Sequence, residues 1–261
     1  MVTSVVALWT HRQVLRMLVL RDLQRRYTHF RLGYLWTLLE PLGMIFVLWF
    51  VFAVLLGTRK LGLQPYLLFL ALAIIPWWWF TTGMTMATKA FRRASGALRI
   101  SRLPTQLWVA RVIIVSMAEF ILALPVIVVA AIVTRSMPSW ALILFPVAMV
   151  LQFILMYGLG LLIASVSVVI PDVARFIRIF IRVMFYLSPV LYSVSNIPER
   201  VQGLAFLNPL VGIFGLYRVG FFPQETESLL AYVVSAAICV ITWAVGAFTF
   251  HRLEPRILKA A

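Results

Sequence analysis

The chain reads as an all-α integral membrane protein with six transmembrane helices. An N-terminal amphipathic interface helix precedes them, and re-entrant short helices lie between the fifth and sixth spans. Three observations predict this. The 261 residues are 63% hydrophobic and only 12% charged, whereas ordinary soluble domains are about 25% charged. The apolar residues gather into runs of the length a helix needs to cross a bilayer, about 20 residues. The cations fall mostly on one side of the spans so defined. One transmembrane domain over 1–261 is the simplest organisation.

The interface helix is predicted over 10–33. Leu15, Val19, Leu23 and Tyr27 recur every four residues, flanked by Leu18 and Phe30, while Arg12, Arg16, Arg21 and Arg25 occupy the other sides. A basic amphipathic helix with aromatic residues suits the headgroup boundary. Asp22 and Arg26 are spaced to form an i,i+4 pair. Six arginines in the first 35 residues, with no compact apolar core ending in small residues, do not read as a cleavable signal.

The spans are predicted at about 37–57, 66–88, 105–133, 140–170, 176–193 and 229–250. Glu40-Pro41 sits at the inner end of the first, where a proline and a carboxylate suit a helix start. Pro76 lies mid-way along the second, before Trp77, Trp78, Trp79 and Phe80. The loop over 87–104 carries Lys89, Arg92, Arg93, Arg99 and Arg102 and no acid. The third span is long enough to tilt and holds Glu119, the one acid deep in a span. The fifth carries Arg178 and Arg182, with Arg175 just before it, on one helical stripe, and is expected to kink near Pro189. The region over 194–222 has Pro198, Pro209 and four glycines, and its apolar runs are too short to cross. Broken backbone at membrane depth survives only when protein or a water-filled cavity covers it, so this region predicts a passage. With the N-terminus inside, 18 of the 23 cations fall on the inner side, leaving Arg59, Lys60, Arg135, Arg200 and Arg218 outside. Both termini are therefore expected in the cytoplasm.

Several function classes are excluded or disfavoured. The net charge of +15 is accounted for by topology, so no nucleic-acid partner is inferred. Cys239 is the sole cysteine, which rules out an internal disulfide and reads as a small core residue. His11, His29 and His251 have no metal-ligand spacing, so no metal site is expected. No catalytic pattern of acids and histidines appears, so the chain does not read as an enzyme. A phosphate-binding loop needs a lysine after glycine and before Ser or Thr, and Lys60, Lys89 and Lys259 all lack those neighbours. If ATP drives this protein, another chain hydrolyses it.

Two features suggest chemistry. Trp77, Trp78, Trp79 and Phe80 lie about 15–20 Å down their span at ~1.5 Å per residue. They either pack and anchor, or line a conduit whose flat faces let sugars slide. Arg175, Arg178 and Arg182 either anchor the inner rim, or form an electropositive vestibule for an anionic headgroup such as a lipid diphosphate. Arg25 and Tyr27 on the interface helix could share in receiving that headgroup.

At this point the sequence resembles a known family, the membrane subunits of ABC transporters that export polysaccharides such as O-antigen, capsule, teichoic acid and galactan. The resemblance is carried by RDLQRRYTHFRLGYLWTLLEP (21–41), PWWWF (76–80), IPDVARFIR (170–178), FYLSPVLYSVSNIPE (185–199) and LNPLVGIFGLYR (207–218). It implies a homodimer around a continuous channel in the bacterial cytoplasmic membrane. It implies two copies of a separate nucleotide-binding ATPase that hold the ATP and Mg, with no cofactor on this chain. It places a coupling helix at 88–96, with Phe91, Arg92 and Arg93 as ATPase contacts. It places an outer gate at 196–218, with Asn196, Pro198, Asn208, Pro209 and Tyr217 as gate residues. The expected activity is export of a lipid-linked polysaccharide. The alternatives are a small-lipid or drug exporter of the same superfamily, a secondary transporter, or a membrane glycosyltransferase. The lack of an internal repeat and of deep acids beyond Glu119 disfavours the secondary transporter.

Overall fold

The computed structural model describes residues 9–27, 35–57, 62–100, 103–225 and 228–260. All regular secondary structure among them is helical. In chain order the helices are α1 (Arg12–Tyr27), α2 (Leu35–Trp49), α3 (Tyr66–Ala87), α4 (Ala90–Ile100), α5 (Gln106–Val133), α6 (Phe145–Val169), α7 (Val173–Leu187), α8 (Glu199–Ala205), α9 (Pro209–Arg218) and α10 (Leu229–Ala260). A π-helical segment, Phe50–Leu55, extends α2, and a 3-10 turn, Trp140–Leu144, leads into α6.

Among the described residues, five helical stretches are long and apolar enough to cross a membrane: Leu35–Leu55, Tyr66–Ala87, Gln106–Val133, Trp140–Val169 and Leu229–Lys259. These match five of the expected spans within a few residues, except that the last helix continues past 250. The stretch expected as a fifth span, 176–193, is different. It contains α7, a 15-residue helix, which at ~1.5 Å per residue covers about 22 Å of a core about 30 Å thick. The cause is local. Ser188 precedes Pro189 and is extended, with φ −94° and ψ 148°, as the residue before proline prefers. Pro189 therefore follows the end of the helix instead of kinking it.

The core is built around α3. In its most apolar window 78% of residues are buried, against 11% for the span over Leu35–Leu55. The α2 segment thus lies at the edge of the protomer, exposing Leu39, Phe46, Val47 and Phe50. Pro76 is accommodated inside α3, where its carbonyl accepts a hydrogen bond of 2.8 Å from Gln152 Nε2 of α6. The α6 and α10 backbones pack in direct contact. A Cβ on Gly246 would stand 2.0 Å from the Gly158 carbonyl oxygen, the close approach that small residues permit between membrane helices. Cys239 is buried in α10.

The interface helix is described as far as Tyr27. Phe30 and the rest of the predicted 28–33 lie outside the described residues, as does the Tyr27 side chain. The apolar stripe is present, but it is spent on protein. Leu15 and Val19 are buried, with Leu18 and Leu23 packed beside them, and α1 lies against α5. The expected Asp22–Arg26 pair within the helix does not form. Each residue instead reaches across to α5.

Candidate functional site

Two ion pairs clamp α1 to α5. Arg111 grips Asp22 through both ends of its guanidinium, with Nε 2.6 Å from Oδ2 and Nη2 on Oδ1. Arg26 pairs with Glu119. On α5 the two partners are eight residues apart, about 12 Å along the axis. An acid or arginine in an apolar helix is expected to find an opposite charge. Glu119 and Arg111 both do so, on the same neighbouring helix.

The Arg26–Glu119 pair forms part of the wall of a cavity of about 480 Å³, a size usual for ligand-binding clefts. Thr37 and Glu40 line it from α2, and Trp78 and Thr82 from α3. Hydroxyls and carboxylates beside an indole face can contact both the O–H groups and the C–H faces of a sugar ring.

The aromatic run contributes unequally. Trp79 is 1% exposed and stacks on Phe120 at 4.8 Å. Phe80 is 2% exposed, and Trp77 is buried between Phe80 and Phe185, each 5.5 Å away. These three rings pack in the protomer core, and Trp79 also borders the cavity beside Trp78. Trp78 is 37% exposed and is the open member of the run. Consecutive residues on a helix point about 100° apart, so a fully surrounded helix with one open strip shows one ring in four.

The proposed headgroup residues are not gathered into one cluster. Arg25 is exposed on α1, which packs on α5. Arg175, Arg178 and Arg182 are exposed on α7, which packs on α3 and α6 through buried Ile177 and Ile181. The arginine stripe therefore faces away from the body of the chain. Arg175 lies 3.7 Å from Asp172, both being well exposed.

Of the expected ATPase contacts, Arg92 and Arg93 are exposed on α4, but Phe91 is buried with its ring 6.3 Å from Phe250. Phe91 is thus an internal packing residue. The inward stripe of α4, Phe91, Ala94 and Leu98, has ordinary helical spacing.

The expected outer-gate residues form a tied segment that is exposed at Asn196 and Pro198, half-buried at Asn208 and Pro209, and buried at Tyr217. Asn196 Oδ1 accepts a hydrogen bond from Ser193 N at 3.1 Å. Pro198 immediately precedes α8, and Pro209 is the first residue of α9. Asn208 caps α9 through Leu210 N at 3.0 Å and donates to Ser188 Oγ at 2.8 Å. Tyr217 is fully buried against Phe120 and Phe145, so it anchors α9 and does not face a passage.

Sequence reasoning counted Arg218 only as an outer cation. It is buried, donates to Val190 O at 3.1 Å, and lies 3.6 Å over the ring of Phe69. Tyr66 O–H donates to Leu191 O at 2.9 Å. Two side chains thus hold 190–191 against the start of α3. The available signal was an arginine ending an apolar helix in a region already marked as broken.

These features define a multi-pass helical membrane protein with paired charges and interrupted backbone inside its membrane domain, as expected of a transporter subunit. Residues 13–222 match the ABC-2 type transporter family, and the chain belongs to that family. It is 28% identical over 259 residues to the O-antigen export system permease protein RfbA of Myxococcus xanthus, covering 97% of this chain and 98% of that one. It is 23% identical to the polysialic acid transport protein KpsM of Escherichia coli, covering 93% and 94%. It is 26% identical to the capsule polysaccharide export inner-membrane protein CtrC of Neisseria meningitidis serogroup B, covering 82% and 81%.

Proposed function

We propose that this chain is the permease subunit of an ATP-driven exporter that moves a lipid-linked polysaccharide from the cytoplasm to the outer face of the bacterial cytoplasmic membrane. The observation that carries this reading is similarity along nearly the whole chain to a permease named for O-antigen export. Two copies form the passage, covered by the exposed faces of α2 and α7, and two nucleotide-binding subunits supply ATP hydrolysis with Mg. Both termini lie in the cytoplasm. Arg25, Tyr27, Arg175, Arg178 and Arg182 receive the anionic headgroup. Trp78 lines the path, and the segment over 196–218 closes its outer end. Arg92 and Arg93 contact the ATPase.

Depletion of the protein in its host tests this. Loss of surface glycan with the lipid-linked precursor trapped inside is the expected result. Unchanged precursor and unchanged surface glycan would refute it. Intact glycan with an accumulating small lipid would point to the small-lipid exporter instead.

A further inference from the structure

Helix α10 has 32 residues, about 48 Å at ~1.5 Å per residue, whereas the hydrocarbon core is about 30 Å thick. Its last turns therefore project beyond the bilayer. They do not project freely. Phe250 and Ile257 are each 1% exposed, and Leu253 packs with them against the core. Phe250 meets Phe91 of α4. Thr105 Oγ1, just before α5, donates to Glu254 at 2.9 Å. The end of α10 is thus clamped to α4 and to the start of α5 by an aromatic contact, apolar packing and a hydrogen bond.

Both α4 and α10 turn cations outward. On α10 these are Arg252, Arg256 and Lys259, all exposed, at i, i+4 and i+7. Lys89, before α4, and Arg92 and Arg93 on it are exposed too. The acid of this region, Glu254, is engaged with Thr105 and lies 3.8 Å from His251. Positive-inside topology explains cations near the inner rim. It does not explain the clamp, because lysines and arginines that only meet headgroups need no fixed relation to α4.

We propose that α4 and the last turns of α10 form one composite docking surface for the nucleotide-binding subunit. An acidic face of that subunit meets Arg92, Arg93, Arg252 and Arg256, and Phe91 with Phe250 positions the two helices. The proposal rests on the ATPase partner of the preceding section and adds the end of α10 to its footprint. Movement of the nucleotide-binding subunit then reaches α10, and through its close contact with α6 the membrane domain, as well as α5.

The test co-expresses the full chain with its nucleotide-binding partner and measures the partner retained on the purified permease. R252E/R256E/K259E is expected to lower retention tenfold or more at equal permease content, with a steeper salt dependence in the unaltered complex than in the variant. F250A keeps every charge. It is expected to retain the partner within about twofold while lowering permease-dependent ATPase activity severalfold, and F250L is expected to restore most of that activity. If the reversed variant is lost from the membrane, R252Q/R256Q is measured in the same way, with at least a threefold loss expected. Retention unchanged in the charge-reversed variant, or in R252Q/R256Q where that replaces it, would overturn the proposal. So would loss of binding to anionic-lipid nanodiscs with partner retention intact, which would leave membrane anchoring as the role of the stripe. If the unaltered chain retains no ATPase, the function proposed above fails together with this one. Retention that ignores the α10 charges defeats this inference alone.

Discussion

The Arg26–Glu119 pair makes an asymmetric prediction. Its side chains are 43% and 12% exposed, respectively. Exposed pairs are worth about 0.2–1 kcal/mol, whereas stripping one partner from a buried pair costs about 3–5 kcal/mol. Arg26→Ala takes the cation from the more enclosed Glu119 and should destabilise the docked α1 by about 2 kcal/mol, less than for a fully buried pair because Glu119 keeps a further interaction. Glu119→Ala leaves Arg26 able to turn toward water and should cost about 1 kcal/mol. The double variant should cost less than the sum, with a coupling of about 1–2 kcal/mol. Hydrogen exchange of the α1 amides in nanodiscs reads this directly, because a loss of 1.4 kcal/mol is about a tenfold rise in opening. The Asp22–Arg111 pair is enclosed at both ends, 21% and 15% exposed, so its two alanine variants should cost similar amounts. Equal effects from Arg26→Ala and Glu119→Ala, or a coupling below about 0.3 kcal/mol, would refute the reasoning.

Three further outcomes follow from packing. Gly246→Ala puts a methyl against the Gly158 carbonyl. It should cost about 1–3 kcal/mol by overpacking, seen as a lowered Tm in detergent, and an unchanged Tm would mean that α6 and α10 part easily. Trp79→Ala should cost about 3–5 kcal/mol of stability, whereas Trp78→Ala should leave Tm nearly unchanged and lower export per folded permease; a Trp78→Ala variant that exports normally would remove Trp78 from the path. Arg218→Lys keeps the charge but loses the planar group that reaches Val190 O over the Phe69 ring. Limited proteolysis after 188–196 should rise severalfold in that variant, and equal cleavage would show that the tie to α3 does not hold this segment.

Much of the fold was legible because a bilayer imposes its own length. Runs such as 66–88 and 105–133 must be helices at least long enough to cross, and Tyr66–Ala87 and Gln106–Val133, of 22 and 28 residues, are that. The exception over 176–193 arose because hydropathy does not register backbone geometry. Ile179 and Val183 continue an apolar pattern up to Ser188-Pro189, where the chain must turn extended. The cue was one dipeptide, and a proline alone does not decide between a kink and a stop, since those inside Tyr66–Ala87 and Gln106–Val133 are carried through.

The site was harder to read, because facing is a tertiary property. Trp77, Trp78, Trp79 and Phe80 are alike in sequence. Which ring stays open is decided by Phe120 and Phe185 on other helices, 40 and more residues away. The charges divide on the same ground. Glu119 and Arg111 lie on a helix that another element covers, so each is partnered, at a desolvation cost that Coulomb attraction and hydrogen bonds offset only when both ends are present. Arg175, Arg178 and Arg182 lie on the face of α7 that is left exposed among the described residues. A stripe of three guanidiniums spanning about 10 Å is inexpensive there only if headgroups, water or an anion meet it. The protein therefore closes its charges where α1 docks and leaves them open along α7. An anionic headgroup would find Arg178 and Arg182 exposed on α7, beside Arg175 with Asp172 3.7 Å away, while on α1 it would have to compete with Glu119 for Arg26.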